Sequence, residues 1–268
     1  MKRRTIAVGV IICMLGIGGA GRAQEDESVN VSLSAAYATR YLWRGITLNH
    51  DPVCQPSVTF AKSGFTLNFW GSVDTTDWGK KGGYGDRTGQ LTEADYTGEY
   101  SRDLAEKVNV AVGFVTYTYP HTELDSTTEI YFLLGFDLPL APTFSYYVDE
   151  DAVGGAAYYG LDLSHGFTLW ESGERSVELD LGGHLAYANN KFITPYFGIE
   201  FTQGGAWHDW SAGVALPCAI GHGITVTPSY LYTSLWDEAI RREASEYGDE
   251  IRPDNNVLTL EVAWDLTL

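Results

Sequence analysis

In the last stretch of the chain, VLTLEVAWDLTL, side chains alternate in character from Leu258 to Leu268. Every second residue from Leu258 to Leu268 is apolar. The positions between them carry Thr, Ala and the two carboxylates of Glu261 and Asp265. Successive side chains of a strand point to opposite faces, so this segment predicts a strand with one wholly apolar face. Such a face needs either the core of a soluble sandwich or the hydrocarbon around a membrane barrel.

The same alternation recurs along most of the chain, whereas helical periodicity is nearly absent. Segments of roughly 9–13 residues fit membrane-spanning strands better than the shorter strands of a sandwich, which would also need a second apolar sheet face. The pattern predicts twelve strands, an even number that returns both chain ends to one side, with ten or fourteen as the alternatives. The predicted strands are 29–46, 51–61, 64–75, 91–103, 106–119, 128–138, 142–150, 155–164, 174–187, 206–217, 223–235 and 256–268.

The connections between these segments alternate in length. Short turns on one side and long polar loops on the other are typical of outer-membrane barrels. The strand-like segment 194–203 is assigned to an outer loop, as a projecting hairpin, and the one helix candidate, 236–250, is interpreted as a charged loop. The short turns are 62–64, 103–107, 138–142, 164–167 and 216–223, and the long loops are 75–91, 118–128, 187–206 and 236–255. The predicted fold is therefore an all-β, transmembrane, antiparallel up-and-down barrel.

The first residues, MKRRTIAVGVIICMLGIGGAGRAQ, have the organisation of a signal peptide. Basic residues at 2–4 precede an apolar run at 6–17, and small residues follow up to Ala23. The apolar run is too short for a stable membrane-spanning helix. We therefore expect a cleavable signal peptide at 1–23, export to the bacterial outer membrane, and a barrel formed by 24–268.

Composition excludes several classes of protein. The formal net charge is −18, and removal of the basic leader makes it more negative, which argues against nucleic acid as a partner. Beyond the leader only Cys54 and Cys218 remain, so this is not a disulfide-built domain. The strand directions place these two cysteines at opposite ends of the barrel, too far apart to form a disulfide bond.

The inward-facing positions of the strands should carry the function of a barrel. Because the first and last strands must pair to close it, we expect Arg40 or Arg44 to lie beside the strand that carries Glu261 and Asp265. An acid-rich lumen predicts a preference for cations, although such charges are also found merely solvated or bracing a wall. Tyr131, Tyr158 and Trp70 are expected to constrict the lumen. The predicted pore-lining residues are Arg40, Arg44, Glu93, Asp95, Glu99, Glu129, Asp137, Asp162, Glu178, Asp180, His184, Glu261 and Asp265.

Motifs of catalysis and of metal binding are not found. The sequence has no G-x-S-x-G and no H-E-x-x-H, and we predict no catalytic residue, no metal and no cofactor. A hydrolase could still combine His184 with Asp180 and a serine from another strand. Carboxylates in 122–129 and 148–155 could hold Ca²⁺, but they lack the EF-hand spacing, and solvated acidic loops are the favoured interpretation.

The segment YATRYLWRGITLNHDPVCQPSVTF, residues 37–60, resembles the first hairpin of the TorF family of porins, which are proteobacterial outer-membrane barrels. The segments FWGSVD (69–74), VTYTYP (115–120) and ITVTPSYLYTSL (224–235) are similar as well. This resemblance implies a small barrel and passive transport of an undefined solute. One departure is that the chain ends in Leu268, where outer-membrane strands usually end in an aromatic residue. The matching positions in the first segment are Tyr41, Trp43, Arg44, Gly45, Pro52 and Gln55.

Together these patterns predict a porin for the passive diffusion of small polar solutes, with cations preferred. The expected partners are outer-membrane lipid and those solutes, and a monomer is favoured. The alternative is a non-conducting barrel whose outer loops bind a partner or a surface component. An outer-membrane hydrolase is the second alternative.

Overall fold

The computed structural model describes residues 28–81, 85–122, 124–246 and 251–268. The predicted signal peptide, 1–23, lies outside the described residues. The strands are β1 (Asn30–Ala38), β2 (Tyr41–Trp43), β3 (Ile46–Asn49), β4 (Val53–Lys62), β5 (Phe65–Asp74), β6 (Leu91–Ala105), β7 (Val108–Thr118), β8 (Thr127–Phe136), β9 (Thr143–Asp149), β10 (Ala157–Ser172), β11 (Arg175–Asn189), β12 (Gly205–Ala215), β13 (Cys218–Gly221), β14 (Ile224–Leu235) and β15 (Asp254–Thr267). The helices are α1 (Trp78–Lys81), α2 (Asn190–Phe197) and α3 (Glu238–Glu246).

All strands except β2 and β3 form one closed antiparallel sheet. Each strand of this sheet pairs with the sheet strands that precede and follow it in the sequence. The ring closes where β1 pairs with β15, from Asn30–Thr267 to Ala38–Thr259. β12 and β13 both pair with β11 and β14, so they act as one wall strand, interrupted at Leu216 and Pro217. The predicted twelve-stranded barrel is therefore confirmed. Among the described strands of the wall, closure leaves no edge with unpaired backbone groups.

The alternation in sequence becomes an inside and an outside of this barrel. On β15, Leu258, Leu260 and Val262 point outward and are 57%, 50% and 47% exposed. Glu261, which lies between Leu260 and Val262, and Ala263, which follows Val262, point inward and are partly buried. Apolar surface costs about 25 cal/mol per Å² in water, so a continuous exposed apolar band is favourable only against lipid.

One end of the barrel, the short-turn end, consists of tight hairpins. Ser63 and Gly64 connect β4 to β5 with φ values of 51° and 84°, the left-handed conformation that two-residue hairpins require. A Cβ on Gly64 would lie 2.5 Å from the carbonyl oxygen of Ser101, so glycine is needed for space as well. The predicted turn at 164–167 is wrong, because those residues lie within β10 and the chain turns at Gly173.

The opposite end, the long-loop end, differs from the sequence predictions in three places. The predicted first strand, 29–46, is too long, because β1 ends at Ala38 and β2 and β3 form a separate hairpin. Segment 194–203 lies in a loop as predicted, but it begins in helix α2 and is not a hairpin. Within 236–250, the candidate helix exists as α3.

Local capping explains why α2 forms in a sequence that looks strand-like. The side chain of Asn189 accepts a hydrogen bond from the backbone N–H of Phe192 at 3.0 Å, which caps the first turn. Gly198 adopts φ 68° and donates its N–H to the carbonyl of Thr194 at 2.8 Å, which ends the helix. Tertiary packing stabilises the helix further, since Phe192, Ile193 and Phe197 are all buried.

The main apolar core lies inside the barrel at the long-loop end. The β2–β3 hairpin, α2 and α3 fold inward there, and we call these three segments, 41–49, 190–197 and 238–246, the loop plug. They pack against aromatic side chains of the wall, so this end of the lumen is filled with protein. None of the helices in the described part of the chain is long and apolar enough to cross a membrane. The core contains Ile46, Phe192, Ile193, Phe197, Ile240 and Ala244 from the plug and Tyr131, Tyr147, Tyr158 and Leu235 from the wall.

The substitution Leu260→Arg tests the assignment of the outer face. Leu260 lies midway along β15, opposite Tyr37 and Pro228, and points outward. An arginine on the lipid face near the midplane costs about 2–4 kcal/mol, so we expect the free energy of unfolding in lipid vesicles, measured by urea titration, to fall by that amount.

The matched control is Thr259→Arg, the same substitution one residue away on the inner face. Its guanidinium reaches the lumen, so we expect a clearly smaller loss. Equal losses for the two variants would contradict an outer face in contact with lipid.

Candidate functional site: the lumen and its loop plug

Arg44 is the centre of the plug. It lies with Gly45 in the turn of the β2–β3 hairpin, and the two residues have φ values of 47° and 75°. A Cβ on Gly45 would lie 2.8 Å from the Cβ of Asp209, so glycine lets the hairpin tip approach β12. The Arg44 guanidinium is thereby directed into the wall, where its Nη1 and Nη2 donate to Oε1 and Oε2 of Glu129 at 2.6 and 2.7 Å.

This ion pair is buried and fully surrounded. The hydroxyl of Tyr117 donates to Oε2 of Glu129 at 2.9 Å. The guanidinium carbon of Arg44 lies 4.5 Å from the ring centroid of Tyr158, 4.6 Å from that of Trp43 and 4.8 Å from that of Tyr147. A planar guanidinium suits both a bidentate carboxylate contact and stacking on rings, which an ammonium would not.

Tyr158 extends this network along the wall. Its hydroxyl lies 2.8 Å from both Oδ1 of Asp209 and Nε2 of His184, and Nδ1 of His184 lies 2.8 Å from Oδ1 of Asp162. The four side chains come from β10, β11 and β12 and brace these strands below the plug. The pairing of His184 with Asp180 that was considered for a hydrolase is not found, because His184 is bonded to Asp162 and Tyr158 instead.

His208 secures the plug from the other side. Its Nε2 lies 3.1 Å from the carbonyl oxygen of Arg44, so Nε2 must carry the donated proton. The ring is fully buried between Tyr158, Phe192 and Phe197. The backbone of the hairpin tip is thus bonded to β12, while its side chain is bonded to β8.

Helix α3 is fixed by a second arginine. Nη1 of Arg241 donates to Oγ of Ser234 at 2.6 Å and to the carbonyl of Leu235 at 2.9 Å, and Nη2 donates to Oδ2 of Asp254 at 2.8 Å. The hydrogen bond to Asp254 raises the pKa of Arg241. This partly exposed contact joins α3 to the ends of β14 and β15.

Arg40 lies beside the last strand, as predicted, but Arg44 does not, and neither arginine contacts Glu261 or Asp265. Arg40 lies between β1 and β2, and its Nη1 donates to Oδ1 of Asn255 at 3.2 Å. In the register of the closed barrel, Glu261 lies opposite Ala36 and Thr227, and Asp265 lies opposite Ser32. Arg44 lies away from β15 because the chain leaves the wall after Ala38 and the β2–β3 hairpin places Arg44 inside the barrel.

Most of the predicted acidic positions lie on the inner face, but their carboxylates differ in exposure and in hydrogen bonding. Glu99 accepts a hydrogen bond from the hydroxyl of Tyr131 at 2.9 Å. Asp137 is exposed in a short turn after the end of β8, so its assignment to the barrel wall is corrected. The other inner-face carboxylates are buried at Glu93, Asp95, Glu129 and Asp180, partly exposed at Asp162, Glu178 and Glu261, and exposed at the short-turn end at Asp265.

The lumen towards the short-turn end is lined differently from the plug. In the register of β1 and β4, Ser32 faces Thr59 and Ser34 faces Ser57. Small hydroxyl side chains leave space and offer hydrogen bonds to water.

Tyr131 and Tyr158 are buried in the core and Trp70 packs against Tyr41, which agrees with their predicted inward direction. Sequence reasoning missed Tyr117, His208 and Asp209. Inward parity was an available signal for Tyr117, but the adjacent His208 and Asp209 are both buried where the register of β11 and β12 shifts, which period-2 parity does not predict.

The described residues contain no group of three or more His, Cys, Asp or Glu that could hold a metal ion. In loop 148–155, the carboxylate of Asp149 accepts backbone N–H groups of Asp151 at 2.9 Å and Val153 at 3.0 Å, so it caps its own loop. Cys54 and Cys218 are both free.

A closed, twelve-stranded antiparallel barrel with an apolar outside and a polar inside defines the class of outer-membrane β-barrels. The fold is similar to that of a NanC porin, with a TM-score of 0.54, 13% identity and coverage of 88% of this chain and 100% of that chain. Other similar structures are a bacterial polysaccharide outer-membrane secretin (TM-score 0.46, 8% identity, 90% and 98% covered) and LpxR from Salmonella typhimurium (TM-score 0.46, 7% identity, 87% and 99% covered).

The chain belongs to the family described as "Bacterial protein of unknown function (Gcw_chp)", which its residues 22–260 match. This family description names no activity. No curated protein matches the chain in sequence.

The substitution Arg44→Ala tests how the plug is held. Removing one partner of a buried ion pair leaves an uncompensated charge and costs about 3–5 kcal/mol. We therefore expect the urea midpoint of the refolded barrel to fall strongly, and Glu129→Gln to have an effect in the same direction.

The control is Lys80→Ala, which removes an exposed ion pair, with Nζ of Lys80 3.2 Å from Oδ2 of Asp86. We expect its midpoint to match that of the native chain. If Arg44→Ala behaved like Lys80→Ala, the bond between plug and wall would not stabilise the protein.

Proposed function

We propose that this protein is an outer-membrane channel through which small polar solutes diffuse passively, with a preference for cations. The observation that carries the proposal is the charge balance of the inner face. The buried guanidinium of Arg44 is matched by Glu129, while further carboxylates line the wall from Glu93 down to Asp265. A lumen with this balance favours cations over anions.

Membership of the TorF family of porins is part of the same proposal, because the matched family is described without a function. So are export by a cleaved signal peptide, assembly as a monomer and the lack of enzymatic activity. The chain of hydrogen bonds through Asp162, His184 and Tyr158 supports a bracing role, since both nitrogens of His184 are occupied.

The loop plug supports a second candidate function, a barrel that does not conduct and whose outer loops bind a partner. Its buried segments fill the long-loop end of the lumen. A channel therefore needs either a narrow passage beside the plug or displacement of the plug. The two functions differ in one measurable property, conductance.

Conductance in planar bilayers tests the proposal directly. For the refolded mature chain we expect discrete current steps and a reversal potential that shows cation preference. The double variant Glu178→Gln with Asp265→Asn removes two inner-face carboxylates near the short-turn end. Each carboxylate contributes on the order of 1 kcal/mol to a cation that passes at about 4 Å in water, so we expect the cation-to-anion permeability ratio to fall about fivefold or more.

The matched control is Asp137→Asn, which removes a carboxylate of the same end that is exposed in a turn. We expect its permeability ratio to equal that of the native chain. A bilayer that stays silent with correctly folded protein would overturn the channel and favour the non-conducting barrel.

A further inference from the structure

A group of polar side chains on the inner face of β5 and β6 lies beside the β2–β3 hairpin, which it contacts through a hydrogen bond between Tyr41 and Glu93 and through the packing of Trp70 on Tyr41. In the register of these strands, Ser72 lies opposite Glu93, Trp70 opposite Asp95, and Asn68 opposite Thr97. Side chains directly opposite one another in an antiparallel pair have Cβ atoms about 4.5–5.5 Å apart. These residues therefore form one continuous patch on the wall.

Three oxygen atoms of this patch are buried without a hydrogen-bond partner. They are Oγ of Ser72, Oδ1 of Asp95 and Oγ1 of Thr97. Their residues are only 1%, 4% and 7% exposed. A buried polar group left unsatisfied costs about 1–3 kcal/mol, so three of them in adjacent positions indicate that something else binds there.

Asn68 contributes a fourth oxygen with a fixed direction. Its Nδ2 donates to Oγ of Ser57 at 2.8 Å and to Oγ1 of Thr59 at 2.7 Å, both on β4. The amide is planar, so Oδ1 is turned away from β4, towards β6. This oxygen is also buried without a partner.

The charge of the patch is not balanced by protein. Glu93 and Asp95 lie two residues apart on one face of β6, and both are buried. Within the part of the chain that the structure describes, no Lys, Arg or His forms an ion pair with either carboxylate, and Arg44 is engaged by Glu129. Buried carboxylic groups are normally paired with a cation, bound to a metal or protonated.

We propose that this patch is a binding site for a hard divalent cation of the Ca²⁺ class. The cation lies between the carboxylates of Glu93 and Asp95 with Oγ of Ser72 as a neutral ligand, and Thr97 and Asn68 hold its water on the side of the lumen. A set made only of oxygens, two of them anionic groups, suits Ca²⁺ and contains no thiolate or imidazole for a softer metal.

The position of the site gives it a consequence for the plug. Trp70, next to Ser72 on the same face of β5, packs on Tyr41 of the β2–β3 hairpin with ring centroids 5.5 Å apart. Asn49, at the other end of the hairpin, donates to Oδ1 of Asp74 at 2.7 Å. A bound cation would therefore stabilise the wall against which the hairpin rests.

Terbium luminescence of the full mature chain, refolded in detergent micelles, tests the site. Tb³⁺ replaces Ca²⁺ in oxygen sites and is excited through nearby indoles, and Trp70 is paired with Asp95. We expect saturable emission that Ca²⁺ displaces. Asp95→Asn and Glu93→Gln should each weaken Tb³⁺ affinity about tenfold or more, since even losing a supporting group of a metal site costs that much.

Ser72→Ala and Thr97→Val guard against variants that do not fold. They change little volume, and we expect Ser72→Ala to weaken affinity about threefold or more while the unheated protein keeps its compact migration on a gel. The matched control, Glu261→Gln, removes an inner-face carboxylate of another strand and should bind like the native chain.

Two results would overturn the site: identical Tb³⁺ titrations for the native chain and all four patch variants, or an equal loss in Glu261→Gln. The readout is independent of conductance. Binding in a silent barrel would retain the site and reject the channel, and conduction without saturable binding would do the reverse.

Discussion

The structure depends on the pairing of the first wall strand with the last. In hydrocarbon no water is available to hydrogen-bond an exposed strand edge, so a membrane sheet must close completely. The pairing of β1 with β15 over the full length of β1 meets this requirement. Once the ring is closed, the outer face is fixed as apolar, and every charge of the wall must face the lumen or lie at one of the two ends.

That constraint also explains which features the sequence could predict. Period-2 alternation is imposed by contact with lipid on one side and with a polar interior on the other, so it is visible residue by residue in β15. The number of strands and the inward direction of Glu93, Asp95 and Glu129 follow from it. The turn at Gly173 was missed because 164–167 contains glycine and polar residues inside a strand, and β10 simply continues through them.

The plug could not be predicted in the same way, because its contacts join distant parts of the chain. The alternation of β1 continues into Tyr41 and Trp43, so nothing local shows that the chain leaves the wall after Ala38. Arg44 and Glu129 are 85 residues apart in sequence, and no local sequence pattern around either residue predicts their contact. Helix α2 contains Pro195 and several aromatic residues, and its capping by Asn189 and its burial outweigh its poor intrinsic propensity.

The hairpin that carries Arg44 has a consequence for the order of assembly. It lies early in the sequence, yet its partners Glu129, Tyr158 and His208 come from strands that follow much later in the chain; His208 is 164 residues away. Contacts between such remote segments form late in folding. The hairpin contacts cannot form until β8, β10 and β12 have joined the sheet, so the long-loop end of the lumen is open until then and is closed by a segment of the same chain.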